Sequence, residues 1–497
     1  MLRSNDSLAP PIVTSIRSEL WAFIELAIPT ILVNLGMIAS PMLCASFVGR
    51  KFEPVYLSGF ALANLTGNLC TFSIILGIFS ASDTLGPQAF GAGNHKEVGM
   101  IAIRGFVCAA SILLPINIFL VIFLGDMLIY LGQDEEAVEL GVAWYRIFVW
   151  SFPFCLVYNV IWKFLSAQNI MRPMIVVSLL CFGIILPCGL ELMTEYHGFL
   201  GSAWAYVIYQ AIQAISLLAY IAWTHPHIHG TWPGMSCWRE AILAYTPMVE
   251  FMRLGMGGML AQCEWVFWEA SGLVIGLLGV IPLSVHTIPS QVLMLLWLPP
   301  LSAGTALSIR MGNTMTTSVK MTKKLVVSGT LLIVSAYAVL NMIIYIQAKP
   351  IILLFTSDTE VLEIAEQMWW KMCTFSQLCS LFGALCGIAT GLGMQWTLAS
   401  INLIWLWVFG LPTLYYFAIV RGGGLEAAWT CINIPYAGMD VSLLIAFANV
   451  NWEKFAEDLK VKIATDNSNG KQTALLNNDH GQVQYGTSAN IDTGIHL

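Results

Sequence analysis

The sequence is poor in charged residues. Only 10% of its 497 residues are Asp, Glu, Lys or Arg, whereas a soluble globular domain carries about 25%. A chain of this length cannot build a water-facing surface from so few charged groups. The composition therefore excludes a soluble enzyme, a disordered scaffold and a secreted disulfide-rich module. The formal net charge is −7 and no basic stripe occurs, which argues against a nucleic-acid partner.

Several sequence signatures of chemistry are also missing. The 12 cysteines lie mostly within apolar segments and lack CxxC spacing, so neither a zinc site nor a disulfide framework is indicated. No Walker A loop, HExxH or GxSxG motif occurs, and no voltage-sensor or TVGYG-type filter sequence is present. These absences predict a protein that is not an enzyme, is not driven directly by ATP, and has no metal or organic cofactor.

What the chain does have is long apolar stretches. Hydrophobic residues make up 57% of the sequence, and the mean hydropathy is +0.74. A helix satisfies its own backbone hydrogen bonds in lipid and needs about 20 apolar residues to cross the bilayer. The sequence therefore predicts an all-α polytopic membrane protein with twelve transmembrane helices. The predicted spans are 20–47, 55–80, 98–124, 140–165, 173–193, 199–223, 248–279, 284–309, 325–347, 361–391, 395–419 and 425–449.

The distribution of basic residues predicts the orientation of these spans. Most of the 22 Lys and Arg residues fall on one side of the membrane if the N-terminus is cytoplasmic, so the positive-inside rule places both termini in the cytoplasm. The predicted organisation is a cytoplasmic N-terminus (1–19), an N-terminal six-helix bundle (20–224), a cytoplasmic linker (225–247), a C-terminal six-helix bundle (248–449) and a largely disordered cytoplasmic tail (450–497). Within the tail, residues 452–464 are predicted to form a short amphipathic helix.

The two predicted bundles repeat each other in sequence. HGFLGSAWAYV at 197–207 resembles RGGGLEAAWTCI at 421–432, and Gly93-Asn94 matches Gly312-Asn313. Parallel repeats imply two bundles related by a pseudo-twofold axis along the membrane normal, with a cavity between them. This arrangement suits alternating access, although a repeat by itself is also compatible with a purely structural role.

The predicted seventh span, 248–279, carries two acidic residues at membrane depth. Glu264 and Glu269 are flanked by Trp265 and Trp268. Intramembrane carboxyls are costly and are functional candidates by default, and aromatic faces attract organic cations. The two carboxyls are five positions apart, or about 140° around an ideal helix, so they do not share a face. Glu264 is the stronger candidate for proton and cation exchange, and Glu269 is the second. The alternative is a structural glutamate bonded to a neighbouring helix.

Other polar residues within predicted spans are weaker candidates. Asn34, Asn64, Gln262 and Gln291 are neutral groups at membrane depth. Such groups commonly bond helices together, and they are also candidates to line the same cavity. Asp440, in the last span, is a minor candidate because the sequence does not reveal its surroundings.

The order and spacing of several segments resemble the multidrug and toxic compound extrusion (MATE) family of the eukaryotic type. The resemblance covers residues 20–449. Its most specific segments are ELAIPTILVNLG (25–36), FSASDTLGPQAFGAGNHKEVG (79–99), KFLSAQNIMRP (163–173), AQCEWVFWE (261–269), SIRMGN (308–313) and GIATGLGMQ (387–395).

The resemblance implies an antiporter that expels organic cations in exchange for protons or, in some members, sodium. It matches Glu264 and Glu269 to a glutamate pair of the seventh helix, and Asn64 to an asparagine that lines the N-terminal cavity. Two acidic positions of the family are neutral here. They are Cys379 in the tenth helix and Gln291 in the eighth.

We therefore expect a proton-coupled antiporter that exports organic cations or other small xenobiotics or metabolites. The expected coupling ion is the proton rather than sodium, and no cofactor is expected. The expected partners are a small-molecule substrate and membrane lipids, and the expected state is a monomer in the plasma membrane rather than an internal one. The alternatives are a non-transporting sensor or binding protein of the same fold and a flippase of lipid-linked intermediates.

Overall fold

The computed structural model describes residues 15–225, 237–355 and 359–461, together with residues 227, 230–232 and 234. Within this described part the regular structure is helical, and no strand occurs. Ten stretches of it are long and apolar enough to cross a membrane. The predicted all-α, multi-pass membrane fold is thereby confirmed.

The helices before residue 225 are called the first half, and those after residue 237 and up to residue 450 the second half. The first half contains α1 (Ile16–Lys51), α2 (Pro54–Gly67), α3 (Ser73–Gly91), α4 (His95–Tyr130), α5 (Glu135–Phe148), α6 (Phe152–Ala167), α7 (Arg172–Leu180), α8 (Leu186–His197) and α9 (Gly201–Thr224). The second half contains α10 (Trp238–Leu243), α11 (Tyr245–Ala261), α12 (Cys263–Gly276), α13 (Val280–Met315), α14 (Val319–Ile346), α15 (Ala348–Ile352), α16 (Thr359–Gly391), α17 (Gln395–Asn402), α18 (Leu411–Tyr415) and α19 (Gly424–Ala448).

The ten membrane-crossing stretches differ from the twelve predicted spans at two places. Arg172–Thr224 counts as one stretch of 53 residues, but the 3-10 turn at Gly198–Leu200 separates α8 from α9, and these two helices contact each other. The predicted span 248–279 is not among the ten because it is divided into α11 and α12. The count of twelve and the division into two six-helix bundles stay predictions.

The prediction of one continuous helix over 248–279 is wrong at Gln262, where the helix breaks. On the α11 side, a Cβ at Gly258 would collide with the backbone of Gly77, so α11 lies directly against α3 of the first half. On the other side of the break, α12 contacts α13 and α18 of the second half. The two parts thus differ in their main neighbours, which are α3 and α17 for α11 and α13 and α18 for α12.

Four π-helical segments widen the helices of the described part. They are Asn68–Phe72, Cys181–Ile185, Leu403–Gly410 and Tyr416–Val420. Segments of this kind are frequent at functional sites, because the extra residue re-aims the side chains around it. Leu403–Gly410 contacts both α12 and α19, the two helices that carry the buried carboxyls described below.

The two halves contact each other at the helix ends that the sequence predicts to be cytoplasmic. Gln88 Nε2 donates a hydrogen bond of 2.8 Å to the carbonyl of Gly391, and Thr316 Oγ1 donates one of 2.8 Å to the carbonyl of Gly91. A Cβ at Gly91 would collide with the backbone of Asn313. Backbones this close leave no passage between α3 and α13, so the molecule is closed at these ends.

A buried ion pair lies beside this closed contact. Arg310 Nη2 in α13 lies 2.5 Å from Glu19 Oε2 in α1, and Arg310 Nη1 donates a hydrogen bond of 3.2 Å to Asn169 Oδ1. The side chain of Glu19 is only 3% exposed. Removing one partner of a buried ion pair is strongly destabilising because the other charge is left uncompensated. The pair therefore stabilises the closed contact between the halves.

We expect Arg310→Gln to loosen this contact. Loss of one partner of a buried ion pair costs about 3 kcal/mol or more, so backbone amides of residues 84–91 should exchange with solvent deuterium at least about tenfold faster. Hydrogen–deuterium exchange mass spectrometry of the purified protein measures this rate. Arg421→Gln is the matched control, because Arg421 is exposed and lies at the opposite end of the helices. Equal exchange in both variants would contradict the assigned role.

The segment that follows residue 450 is a separate unit. Residues 452–461 form a helix, which agrees with the prediction of a short helix over 452–464 as far as residue 461. Residues 462–497, and with them most of the tail that the sequence predicts to be disordered, lie outside the described residues. The same holds for residues 1–14 of the predicted N-terminal segment.

Candidate functional site

The centre of the candidate site is Glu264, in the first turn of α12. Its side chain is buried and accepts a hydrogen bond of 2.7 Å from Tyr436 Oη in α19. The Trp297 side chain also interacts with the Glu264 carboxyl. The break at Gln262 creates a helix N-terminus beside this carboxyl, and the dipole of a helix N-terminus favours negative charge. An ionised Glu264 is therefore supported by the Tyr436 hydroxyl and a helix end.

A second carboxyl, that of Asp440, lies in the same part of the molecule. Asp440 is one helical turn after Tyr436 on α19, is 2% exposed, and interacts electrostatically with Glu264. Among the residues that the structure describes, neither carboxyl oxygen of Asp440 has a hydrogen-bond partner. Two sulfhydryl groups of α16, those of Cys379 and Cys386, interact electrostatically with both carboxyls. These four groups and Tyr436 form the carboxyl cluster.

Aromatic rings pack around the carboxyl cluster. Phe375 lies edge-on to Tyr436, with ring centroids 4.6 Å apart, and stacks on Trp268 at 5.3 Å. Trp429 contacts both Phe375 and Trp268, and the buried His286 ring lies 5.4 Å from Trp429. An aromatic face beside a carboxylate attracts an organic cation more strongly than either group alone. The arrangement can thus exchange a proton for a cation.

The structure brings some of the sequence candidates to this cluster. Glu264 and Asp440 are the cluster's carboxyls, and Cys379, 2% exposed, lies between helices beside them. Trp268 belongs to the aromatic surroundings. Trp265 packs on Trp297 with ring centroids 4.8 Å apart, and Trp297 in turn interacts with Glu264.

Glu269 is not brought to the cluster. Its side chain is exposed, whereas Glu264 is buried. This agrees with the expectation that the two glutamates lie on different faces. Gln262 forms the helix break itself. Gln291, on α13, is exposed.

The two asparagine candidates lie in the first half. Asn34 Nδ2 donates a hydrogen bond of 2.9 Å to Ser302 Oγ and so joins α1 to α13. Asn64 is half-buried in α2, one turn before the π-helical segment Asn68–Phe72. In the described residues no hydrogen bond joins either side chain to Glu264. The roles of these residues and of Glu269 as site residues stay predictions.

Sequence reasoning missed Tyr436 and underrated Asp440. The signal available in the sequence was their spacing, because residues four apart on a helix share one face. A tyrosine and an aspartate at that spacing in the last span form a polar stripe. That stripe cannot be matched to Glu264 without knowing which helices are neighbours.

The chain is similar to known proteins over most of its length. A model of the MatE family matches residues 29–190 and 259–416. Multidrug and toxin extrusion protein 2 of Mus musculus is 26% identical over 454 residues, which cover 90% of this chain and 77% of that protein. Multidrug and toxin extrusion protein 1 of Homo sapiens is 27% identical over 460 residues, covering 90% of this chain and 78% of that protein.

A similar fold occurs in a solved structure. The crystal structure of the eukaryotic MATE transporter AtDTX14 superposes with a TM-score of 0.80 at 22% identity, over 90% of this chain and 99% of that one. The likeness shows that this chain has the helical, multi-pass fold of that structure. More specifically, the chain belongs to the MatE family of multidrug and toxin extrusion transporters. A small molecule is accordingly its partner, and the flippase and non-transporting alternatives are not favoured.

Proposed function

We propose that the protein is a proton-coupled antiporter that exports monovalent organic cations by alternating access. The observation that carries this proposal is the buried Glu264 carboxyl, which is bonded to Tyr436 and surrounded by aromatic rings. Such a group is neutralised either by a proton or by a cation, and the rings Phe375 and Trp268 favour an organic cation. One site thereby binds the two exchanged species alternately.

The transport cycle follows from this competition. On the cytoplasmic side the carboxyl cluster, which carries one proton, releases that proton and binds the cation. The two halves then rock, and the contact formed by Gln88, Gly391, Thr316 and Gly91 closes the cytoplasmic side. On the outer side a proton displaces the cation. Transport is coupled because the site changes sides only when it holds one of the two species, the proton or the cation.

The orientation, membrane and oligomeric state belong to the same proposal. The excess of basic residues on one side supports two cytoplasmic termini. We propose a monomer in the plasma membrane, with the proton rather than sodium as coupling ion and with no cofactor. The exposed Gln291 and the buried Cys379 replace two acidic groups by neutral ones, so the coupling chemistry rests on the carboxyls that remain.

The test is uptake of radiolabelled tetraethylammonium into proteoliposomes that contain the purified protein. With an acidic interior, uptake should exceed the equilibrium level and should collapse when a protonophore is added. A sodium gradient in place of the proton gradient should give no accumulation. Saturable binding without flux, or accumulation driven by sodium alone, would contradict the proposal.

A further inference from the structure

Asp440 is the buried acidic group with the least support in the described part of the chain. It is 2% exposed, and neither of its carboxyl oxygens has a hydrogen-bond partner among the described residues. Moving a carboxylate out of water without a hydrogen bond or an opposite charge costs a large free energy, whereas moving the neutral acid costs far less. The surroundings of Asp440 therefore favour the protonated form.

The donor one helical turn before Asp440, Tyr436, is engaged with Glu264. A tyrosine hydroxyl has a single proton to donate, and Tyr436 donates it to Glu264 Oε1 at 2.7 Å. Glu264 also interacts with Trp297 and lies in the first turn of α12. The Tyr436 hydroxyl and the helix N-terminus therefore act on Glu264, and among the described residues no donor is bonded to Asp440.

No described positive charge compensates Asp440. The titratable groups that interact with it are an acid on α12, Glu264, and two thiols on α16, those of Cys379 and Cys386. The phenol of Tyr436 lies one turn away on the same helix. Lys371, also on α16, is held by the carbonyl of Glu426 at 2.8 Å and by Thr430 at 2.9 Å. A second negative charge next to Glu264 is therefore opposed by repulsion.

We propose that Asp440 is the proton-carrying member of the Glu264–Asp440 pair, and that the proton leaves Asp440 when a monovalent organic cation binds between the two carboxyls. This inference rests on the proposed function and deepens it. Without a cation the pair holds one proton and one negative charge. Cation binding releases the Asp440 proton to the open aqueous side, and the two carboxylates then hold one positive charge. The net charge of the pair and its ligand is −1 in both forms, so the same rocking step serves both.

Infrared spectroscopy of the purified protein tests the position of the proton without any substrate. We expect a carbonyl stretching band of a buried protonated carboxyl at neutral pH, shifted in D₂O. Asp440→Asn should remove this band, whereas the control Asp126→Asn, at an exposed position of α4, should leave it. Absence of the band from the natural protein, or its persistence in Asp440→Asn, would overturn the proposal.

Calorimetry tests the release of the proton. Titration with tetraethylammonium in buffers of different ionisation enthalpy should show about one proton released per cation bound. Below the pH at which Asp440 titrates, the affinity for the cation should rise about tenfold for each unit by which the pH is raised. In Asp440→Asn, cation binding should release no proton, and the affinity for tetraethylammonium should vary less than about twofold per pH unit. Undiminished proton release from that variant would contradict the role of Asp440.

A second variant distinguishes loss of the carboxyl group from a structural change caused by the Asp440→Asn substitution itself. Cys379 faces the same cluster from α16, so Cys379→Asp combined with Asp440→Asn returns a carboxyl to the cluster from another helix. Proton release should return in this double variant. If the natural protein shows no proton-driven uptake, the proposed function fails, whereas the infrared band still decides where the proton lies. If uptake is proton-driven and Asp440→Asn keeps the band, only this inference fails.

Discussion

Replacing Glu264 by Gln is expected to abolish proton-driven cation uptake. The substitution keeps the volume of the side chain and a carbonyl oxygen that accepts the hydrogen bond from Tyr436. It removes the carboxyl of the cluster that accepts the Tyr436 hydrogen bond and lies at the N-terminus of α12. Loss of a buried charge partner costs about 2–5 kcal/mol of binding, so uptake should fall by about 100-fold.

The measurement is initial tetraethylammonium uptake into proteoliposomes with an acidic interior. Glu363→Gln is the matched control, because it makes the same chemical change at an exposed position of α16 and should transport normally. Size-exclusion profiles of both variants should match that of the natural protein. Substantial proton-driven uptake by a well-folded Glu264→Gln variant would show that the exchange site lies elsewhere. The same assay applied to Glu269→Gln tests the sequence-based prediction for that exposed residue.

Gly387→Ala is expected to cause the largest loss of stability. Gly387 in α16 lies against Gly304 in α13, and an added Cβ would fall on the carbonyl, the carbonyl carbon and the Cα of Gly304. These are all backbone atoms, so no side chain can rotate away and the two helices must separate. Small residues at membrane helix crossings permit this close approach. We expect a destabilisation of about 3 kcal/mol or more, at the upper end of the range for overpacking.

Thermal unfolding of the detergent-purified variants, followed by the loss of the monodisperse size-exclusion peak, measures this effect. Gly183→Ala is the control, because Gly183 is exposed in a helical segment and its added methyl group would meet no atom within 4 Å. It should leave the midpoint almost unchanged. Equal midpoints for the two variants would mean that α13 and α16 are not packed as closely as described.

The sequence predicted the helices well because the bilayer imposes a simple rule. Apolar runs of about 20 residues must be helical in lipid, and the ends of α16 and α19 fall within a few residues of the predicted spans 361–391 and 425–449. The same rule gave the wrong result at Gln262. Both sides of that residue are apolar, so hydropathy gives no sign of the break, which is seen only in the folded chain.

The candidate site was predictable in part. Glu264 was identified because a carboxyl inside an apolar span is costly and therefore informative. The difference between Glu264, which is buried, and Glu269, which is exposed, was only implied by their angular separation. Tyr436 and Asp440 lie more than 170 positions further along the chain. No local pattern indicates that they meet Glu264.

The sequence by itself determined the class of protein, the all-helical architecture, the internal repeat and the acidic character of the site. Composition and apolar run length decide these properties, since they depend on the solvent around the chain rather than on which helices touch. The tertiary structure alone decided that Tyr436 is bonded to Glu264 and that Asp440 has no hydrogen-bond donor among the residues the structure describes. Both results depend on contacts between α12 and α19, which lie far apart in the sequence. No local sequence pattern indicates which distant helices come into contact.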